Sequence, residues 1–346
     1  MLTVNGNQSN VIDTHVMSNH CDSCAKQKKK KTVAEFHEPN CERNHNGSAG
    51  AMEPVGTQVI FHRSEELYKL RYLGFLGDRD SKAFSSVKNA DPVLYEGVDI
   101  QKYECCGHVQ KRMGRHLMNK VSQLKQTSFQ YNGKIVKGIS GKGKLSNAAI
   151  RKIQGHYGAA IRNNVNNVDK MKKDIWAIWE HRTKKHDNCG SWCPSKKNPP
   201  CDPNQNALPP YITDAIKPVF QTLTDDTLLE KCAHGGTQNT NESFHNIIWQ
   251  HCPKTSFVGR SRLCLAVSDS AIVFNDGETG RLPIFEELGI AAGYFTAKCF
   301  HDMDMSRIKA SQVQATPAVQ HARQKRAIDA VAVAEKTGDF YLSGAY

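Results

Sequence analysis

One carboxylate, Glu242, follows a run of small polar residues in the stretch CAHGGTQNTNESFHNIIWQ, residues 232–250. The apolar residues after it have helical spacing, so we expect a helix here with Asn239 or Asn241 as its N-cap. A carboxylate in the first turn of a helix lies near the positive end of the helix dipole, which stabilises an anion. Most acids in this position are structural, and a chemical role for Glu242 therefore requires partners elsewhere in the chain.

Asp78 is such a partner, because the stretch GDRDSK places it at the end of an apolar segment, residues 68–78, with the pattern of a buried strand. Asp80 follows two residues later. The carboxyl ends of strands are where α/β sheets gather ligand and metal sites, and hard oxygen ligands suit Mg²⁺. Asp78 and Glu242 could therefore share a divalent metal. The alternative is that Asp78 caps the helix predicted to begin near Ser81.

A Cys-x-x-His pair, Cys105 and His108, lies at the predicted joint between a strand and a basic amphipathic helix. Side chains three residues apart on a helix can meet, so the pair is either half of a zinc site or a packing pair behind the acids. Three cations of the same helix, Lys111, Arg112 and Arg115, add positive charge that suits phosphate groups.

An N-terminal group of Cys and His residues has the spacing of a small zinc knuckle. Cys21 and Cys24 form a C-x2-C pair, and two ways of completing the site are open. The first, C-x2-C-x12-H-x3-C, uses His37 and Cys41, whereas the second, C-x2-C-x16-C-x3-H, uses Cys41 and His45. The alternative to both is a set of free thiols in a polar loop.

A second group, His186, Cys189 and Cys193, is a weaker zinc candidate that Cys201 or Cys232 could complete. The alternative is that these cysteines and the tryptophan between them are packing residues. The chain of 346 residues contains 12 cysteines in all. We expect thiols or metal ligands rather than disulfides, because no signal-peptide pattern indicates secretion.

The composition limits the class of protein. Hydrophobic residues make up 39% and charged residues 23% of the chain, which are typical values for globular domains. The net charge of +12 favours a polyanionic partner, most simply nucleic acid, although charge alone is also compatible with a merely soluble basic protein. No apolar run approaches the roughly 20 residues of a membrane-spanning helix. We therefore expect an intracellular protein with no membrane partner.

The elements that would position these residues follow from hydrophobic periodicity, which predicts an α/β fold. A β-hairpin with an Asn-Gly turn opens the chain, and the middle of the chain is helical and strongly basic. Candidate DNA contacts in this middle part are Lys142, Lys144, Arg151 and Lys152. We expect a first core segment over 1–132 with a Cys/His-rich insertion at 20–45, a basic helical insertion over 133–232, closing helices over 233–305 and a tail over 306–346.

Several separate motifs resemble, in their order, the Mutator-like transposase domain of animal mobile elements. They are GDRDSK (77–82), ECCGHVQKRMG (104–114), GKGKL (141–145) with YGAAIRNN (157–164), SWC (191–193) and TQNTNESFHNIIW (237–249), within a resemblance from about Val11 to about Gly293. The resemblance implies a ribonuclease-H-like mixed sheet interrupted by a large helical insertion. In that family three acids hold two divalent metals, Mg²⁺ or Mn²⁺. By resemblance Asp78 is the second acid and Glu242 the third, supported by Asp80, Cys105 and His108.

The same resemblance implies an activity and partners. The activity would be that of a DDE transposase, which cleaves DNA and transfers the strand. The partner would be DNA, in particular the terminal repeats of a mobile element, and the location would be nuclear. An oligomer is compatible with this function, and the cysteine groups add Zn²⁺ as a further expected ion.

Two features depart from the family pattern. The family's first acid lies on an opening strand, whereas the N-terminal residues here resemble the hairpin that follows that strand, so we expect Asp13 to be a later residue. Arg79 stands where the family usually has glycine, and it puts a cation beside the proposed metal. We therefore expect the sheet to lack its first strand and the catalytic set to be incomplete. The alternative function is a non-catalytic DNA-binding protein derived from a transposase.

Overall fold

The computed structural model describes residues 2–4, 9–29, 41–77, 82–141, 143–196 and 202–337. These residues form a mixed α/β structure that is mostly helical. The chain divides into two compact units. Unit 1 comprises residues 1–102 and 238–314, and unit 2 comprises residues 103–237 and 315–346.

Unit 1 contains the N-terminal strands and the helix that carries Glu242. Its strands are β1 (Leu2–Val4), β2 (Asn10–Asp13) and β3 (Gly74–Gly77). Its helices are α1 (Asp22–Lys29), α2 (Ala49–His62), α3 (Ser64–Tyr68), α4 (Lys82–Lys88), α10 (Asn239–His251), α11 (Arg260–Asp276), α12 (Leu282–Glu287) and α13 (Tyr294–Ala315). β1 and β2 pair antiparallel, with Thr3 opposite Val11, so the two strands of the predicted hairpin are confirmed. Its turn, residues 5–8, lies outside the described residues.

Two apolar cores stabilise unit 1. In the first, Phe61 of α2 packs edge to face on Tyr72, with ring centroids 5.4 Å apart. In the second, Val11 of β2 packs with Phe244 and Ile248, which form the apolar stripe of α10. A fully buried side chain of this size contributes about 1.5–3 kcal/mol relative to an exposed one. The helical spacing after Glu242 therefore serves to bury one face of α10 within unit 1.

The buried strand predicted over 68–78 is shorter in the structure. β3 covers 74–77, whereas Tyr68 ends α3 and residues 69–73 have no regular structure. Lys69 then adopts a left-handed conformation with a φ of 54°, which ends the helix. Asp78, Arg79 and Asp80 lie outside the described residues.

Unit 2 is built from helices and one hairpin. β4 (Gln101–Glu104) leads into it from unit 1. Its remaining elements are α5 (Cys106–Gln123), β5 (Ser128–Tyr131), β6 (Lys134–Lys137), α6 (Asn147–Arg162), α7 (Val168–Arg182), α8 (Pro210–Leu223), α9 (Asp226–Glu230) and α14 (Pro317–Thr337). The basic helix predicted after Cys105 is confirmed as α5. Large fully buried side chains of the core are Met113, Leu117, Ile153, Tyr157, Ile161 and Phe220.

Helices α5 and α6 approach each other closely at two glycines. A Cβ at Gly114 would lie 2.1 Å from Gln154 Oε1, and a Cβ at Gly158 would lie 2.2 Å from Gln110 Oε1. Arg162 holds Gln110 in this place, because its Nη1 donates to Gln110 Oε1 at 2.7 Å. Any larger residue at either glycine would have to displace a glutamine. Gln110, Gly114 and Gly158, which lie in the family-like motifs, therefore serve helix packing.

The segment predicted to be helical from residue 133 begins with a hairpin instead. β5 and β6 pair antiparallel around Asn132 and Gly133, whose φ angles are 49° and 73°. Two consecutive positive φ values are characteristic of the type I′ turn, which favours Asn-Gly. Ile135 and Val136 follow, and β-branched residues favour strands. The regular helices of this segment start only at α6.

The single mixed sheet expected from the resemblance is not present among the described residues. Their strands form three two-stranded sheets, β1–β2, β3–β4 and β5–β6. Each of these strands is three or four residues long, so it buries little apolar surface and the helices supply most of the cores. None of the helices in the described part of the chain has the length and apolar composition of a membrane-spanning segment.

Candidate active site and metal centres

Glu242 lies in the first turn of α10, as predicted, and its side chain is exposed. The helix begins at Asn239 after Gln238, and no side chain of the N-cap residue bonds to the first turn. The expectation that Asn239 or Asn241 caps this helix is therefore wrong. The N–H of Glu242 instead donates to Gln238 O at 3.1 Å, which closes the first turn.

The side chain of Gln238 ties the start of α10 to β3. Its Nε2 donates to Leu76 O at 3.1 Å. Leu76 precedes Asp78 by two residues in the sequence, and Gln238 precedes Glu242 by one helical turn. The hydrogen bond therefore joins the two elements from which the predicted second and third acids extend. Sequence patterns did not reveal Gln238, because a glutamine in a polar run carries no signal of a tertiary contact.

His245 lies one turn after Glu242 on α10. Burial lowers the pKa of His245, and the negative charge of Glu242 opposes this shift. The net shift favours the neutral form of the imidazole beside Glu242.

Asp13 has a structural role in unit 1. It is 4% exposed on β2 and accepts from Arg63 Nε at 2.8 Å, while Arg63 Nη2 also contacts its other oxygen. Arg63 Nη2 additionally donates to Thr14 O at 2.8 Å. Burial raises the pKa of nearby Tyr72 to about 12, so a neutral phenol faces this pair. Asp13 is thus a buried ion-pair partner of Arg63.

Cys105 and His108 lie at the joint between β4 and α5, where the sequence predicted them. Cys105 is the N-cap residue and is 3% exposed. Three hydrogen bonds fix this joint to the segment 231–236: Glu104 N donates to Lys231 O, Cys106 N donates to Gly236 O, and His234 Nε2 donates to Glu104 O, at 2.9–3.1 Å. The joint is therefore rigidly held within unit 2. A supporting role for the pair at the acids remains a prediction.

The predicted DNA contacts differ in how they are presented. Arg112 pairs with buried Glu104 at 2.5 Å, and its side chain is 16% exposed. Lys144 donates to Lys137 O and Gly138 O, so it stabilises the loop after β6. Lys142 lies outside the described residues. The exposed members of the predicted set are Lys111, Arg115, Arg151 and Lys152.

Three cysteines of the N-terminal group come together. Cys21, Cys24 and Cys41 offer their sulfurs within 4.8 Å of one another, and Cys24 Sγ lies 3.8 Å from Cys41 Sγ. His45 is not part of this group, because it offers no ring nitrogen within 4.8 Å of all three sulfurs. His37 lies outside the described residues. The three cysteines are common to both predicted patterns, and the histidine that would complete the site stays a prediction.

Replacing Cys21 and Cys24 together by serine is expected to remove about one zinc ion per chain, because a serine hydroxyl is a poor ligand for Zn²⁺. Elemental analysis of the purified full chain measures this directly. Cys264→Ser, which lies outside both clusters, is the matched control and should leave the zinc content unchanged. An unchanged zinc content in the double variant would rule out the N-terminal site.

A second group brings together four potential ligands in unit 2. His181, His186, Cys189 and Cys193 each offer one atom within 4.8 Å of the others. Sequence reasoning missed His181, which lies on the buried face of α7 and is 3% exposed. The available signal was a histidine on an apolar helix stripe directly before a Cys/His-rich loop.

The cysteines proposed to complete this second group do not lie in it. Cys232 is fully buried in the core of unit 2 beside Cys106, whose Sγ donates to Cys232 O at 3.5 Å. The expectation that Cys232 is a ligand is therefore wrong, since its neighbour in the core is another cysteine rather than a histidine. Cys201 lies outside the described residues.

The comparison with known families agrees with this arrangement of motifs. A family model described as Mutator-like transposase matches residues 1–193. The match covers more than half of the 346 residues and includes Asp78 and the Cys105–His108 pair, whereas Glu242 lies beyond it. No curated protein and no solved structure matches the chain significantly. The chain belongs to the Mutator-like transposase family.

Proposed function

We propose that this chain is the DNA-processing domain of a Mutator-like transposase, with Asp78 and Glu242 as ligands of a divalent metal. The observation that supports this most is the hydrogen bond from Gln238 Nε2 to Leu76 O. It links the start of α10 to β3 within unit 1, although 162 residues separate the two partners in the chain. Such a link is what a site made from two remote acids requires.

The proposed metal is Mg²⁺ or Mn²⁺, and the residues present suit it. Glu242 is exposed at a helix N-terminus and offers hard oxygen ligands. When bound, two such metals activate the attacking oxygen and stabilise the leaving oxygen of a phosphodiester. The chain's own part is to hold its carboxylates in place, and α10 does so through its buried stripe and through Gln238. The proposal includes the ribonuclease-H-like fold that the resemblance to the family implies.

DNA is the proposed partner, in a nuclear location. Lys111 and Arg115 on α5 and Arg151 and Lys152 on α6 are exposed cations of unit 2. Cations that neutralise phosphates release condensed counterions, which provides most of non-specific DNA affinity. The net charge of +12 agrees with this electrostatic mode of binding.

A second candidate function is DNA binding without catalysis. The observation that favours it is the buried ion pair between Asp13 and Arg63. This pairing gives the acid of the N-terminal strands a structural role rather than a metal-binding one. Both candidates predict DNA binding, and they differ in whether Glu242 holds a metal.

Replacing Arg151 and Lys152 by glutamine is expected to weaken DNA binding and to lower the slope of log affinity against log salt concentration by about 2, because each phosphate contact contributes about 0.9. Fluorescence anisotropy with labelled duplex DNA over a range of salt concentrations measures both quantities.

The matched control for this test is the pair Lys88→Gln and Lys309→Gln. Both lysines are exposed in unit 1, so the control changes the net charge equally at other positions. Equal salt slopes for the two double variants would show that α6 does not contact DNA. If the unmodified chain does not bind DNA, or if its affinity does not change with salt concentration, the proposed function itself is wrong.

A further inference from the structure

Four side chains of unit 2 meet at the end of α7 in an arrangement that fits one metal ion. His181 Nδ1 lies 3.0 Å from His186 Nδ1, 3.5 Å from Cys189 Sγ and 3.7 Å from Cys193 Sγ. His186 Nδ1 lies 3.8 Å from Cys189 Sγ and 3.7 Å from Cys193 Sγ. The same ring nitrogen of each histidine thus faces both sulfurs.

These separations are those of a tetrahedral zinc site. Zn–N bonds of about 2.0 Å and Zn–S bonds of about 2.3 Å place the ligand atoms of a tetrahedron roughly 3.3–3.8 Å apart. The nitrogen–sulfur distances, 3.5–3.8 Å, lie in this range, and the distance between the two nitrogens, 3.0 Å, is slightly shorter. Two thiolates and two neutral imidazoles also balance the charge of a divalent ion.

The outer hydrogen bond of His186 supports the same assignment. Its Nε2 lies 3.3 Å from Asn204 Oδ1, which accepts, so this nitrogen carries the proton and the lone pair of Nδ1 points into the cluster. Ligating histidines in metal sites are oriented by such a bond from the second ring nitrogen. The tautomer of His186 is therefore the one that a metal needs.

Three of the four side chains are buried, and His186 is half-buried. His181, Cys189 and Cys193 are 3%, 8% and 0% exposed. Catalytic zinc sites keep one position open, whereas structural sites use four protein ligands. We propose that His181, His186, Cys189 and Cys193 bind a structural Zn²⁺ that fastens the loop between α7 and α8 to the end of α7.

The loop needs such a fastening because it has little regular structure of its own. Its described residues, 183–196 and 202–209, contain only two short 3₁₀ turns. Around the cluster, Leu208 N donates to Arg182 O, and Arg182 Nη1 donates to Asn206 O, both at 2.9 Å. A metal crosslink between the helix end and the loop would keep both hydrogen bonds in place.

X-ray absorption spectroscopy tests the ligand set without altering the site. In the full chain with Cys21→Ser and Cys24→Ser, the zinc that remains should show about two sulfur and two nitrogen neighbours. Retention of about one zinc ion with this shell is the expected result. No remaining zinc, or a shell of three or four sulfurs, would overturn the proposal. The outcome does not depend on Glu242 or on DNA binding, so it is independent of the proposed function.

A second test removes the ligands. The double variant Cys189→Ser and Cys193→Ser should lose about one zinc ion per chain, and trypsin should then cut faster after Lys184, Lys185 or Lys196, which lie in the loop. The controls are Cys299→Ser, at an exposed thiol of α13, and Cys232→Ser, in the core of unit 2. Both controls should keep the zinc. An unchanged zinc content in the double variant would contradict the assignment. So would a loss of zinc in Cys232→Ser while trypsin still cuts the loop as slowly as in the unmodified chain.

Discussion

Replacing Glu242 by glutamine is expected to weaken Mn²⁺ binding by the full chain by about 100-fold or more, since even removal of an outer partner of a metal ligand costs about 10–100-fold. Glutamine keeps the size of the side chain and removes its charge. Glu242 is exposed, so the fold should change in stability by no more than about 0.5 kcal/mol. Titration of Mn²⁺ followed by electron paramagnetic resonance measures the affinity.

Two further variants make this result specific. Glu287→Gln removes the same charge at the exposed end of α12 and should leave Mn²⁺ binding unchanged. Asp78→Asn should weaken binding as Glu242→Gln does, because both carboxylates are proposed to hold the same ion. Wild-type Mn²⁺ affinity in Glu242→Gln would refute the assignment of the site and favour DNA binding without catalysis.

Cleavage of branched or terminal-repeat DNA in Mg²⁺ or Mn²⁺ extends the same prediction. Residues 1–346 should cut slowly or not at all, because Asp78 and Glu242 are the two carboxylates proposed as metal ligands, whereas the family pattern uses three acids. Glu242→Gln should abolish whatever metal-dependent cleavage the chain shows, because it removes one of the two proposed metal ligands. Rapid metal-dependent cleavage by residues 1–346 alone would show that the catalytic set is already complete.

Replacing Arg63 by methionine is expected to lower the free energy of unfolding of unit 1 by about 3 kcal/mol, because it leaves the buried carboxylate of Asp13 without its cation. The side chain of Asp13 is 3% exposed and that of Arg63 is 28% exposed. Hydrogen exchange of β2 and α2, read by mass spectrometry, reports this change as a lower free energy of opening.

Arg71→Met is the matched control for this ion pair. Arg71 pairs with Glu65 at 2.6 Å, but their side chains are 49% and 46% exposed, so the loss should be at most about 1 kcal/mol. The double variant Asp13→Leu and Arg63→Met should be less destabilised than Arg63→Met alone, because no charge is then left buried. Equal effects of Arg63→Met and Arg71→Met would show that the buried pair does not stabilise unit 1.

Local patterns in the sequence predicted several elements and positions correctly. The alternating residues near the N-terminus form β1 and β2, the basic amphipathic stretch after Cys105 forms α5, and Glu242 lies in the first turn of α10. These features depend on periodicity, turn chemistry and dipoles, which act between residues close in the chain. The family was also predictable, because its motifs are short and contiguous.

Other features depend on contacts that no local pattern encodes. Arg112 was expected to face DNA, but it pairs with the buried carboxylate of Glu104, which lies eight residues earlier in the chain. The close approach of α5 and α6 depends on Gln110 and Gln154, whose side chains lie where a Cβ of Gly158 or Gly114 would be. The strand predicted over 68–78 begins only at Gly74, because Lys69 ends α3 in a left-handed conformation and residues 69–73 form no regular structure.

By itself, then, the sequence determined the residue types that could bind metals and DNA, the order of most elements, and the family. Only the tertiary structure decided which of these residues meet: His181 rather than Cys232 joins His186, Cys189 and Cys193, and Gln238 connects α10 to β3. The physical reason is that a ligand set is selected by distance and direction in space. Cys232 is drawn into the apolar core beside Cys106, whereas the last turn of α7 directs His181 toward the loop that follows it.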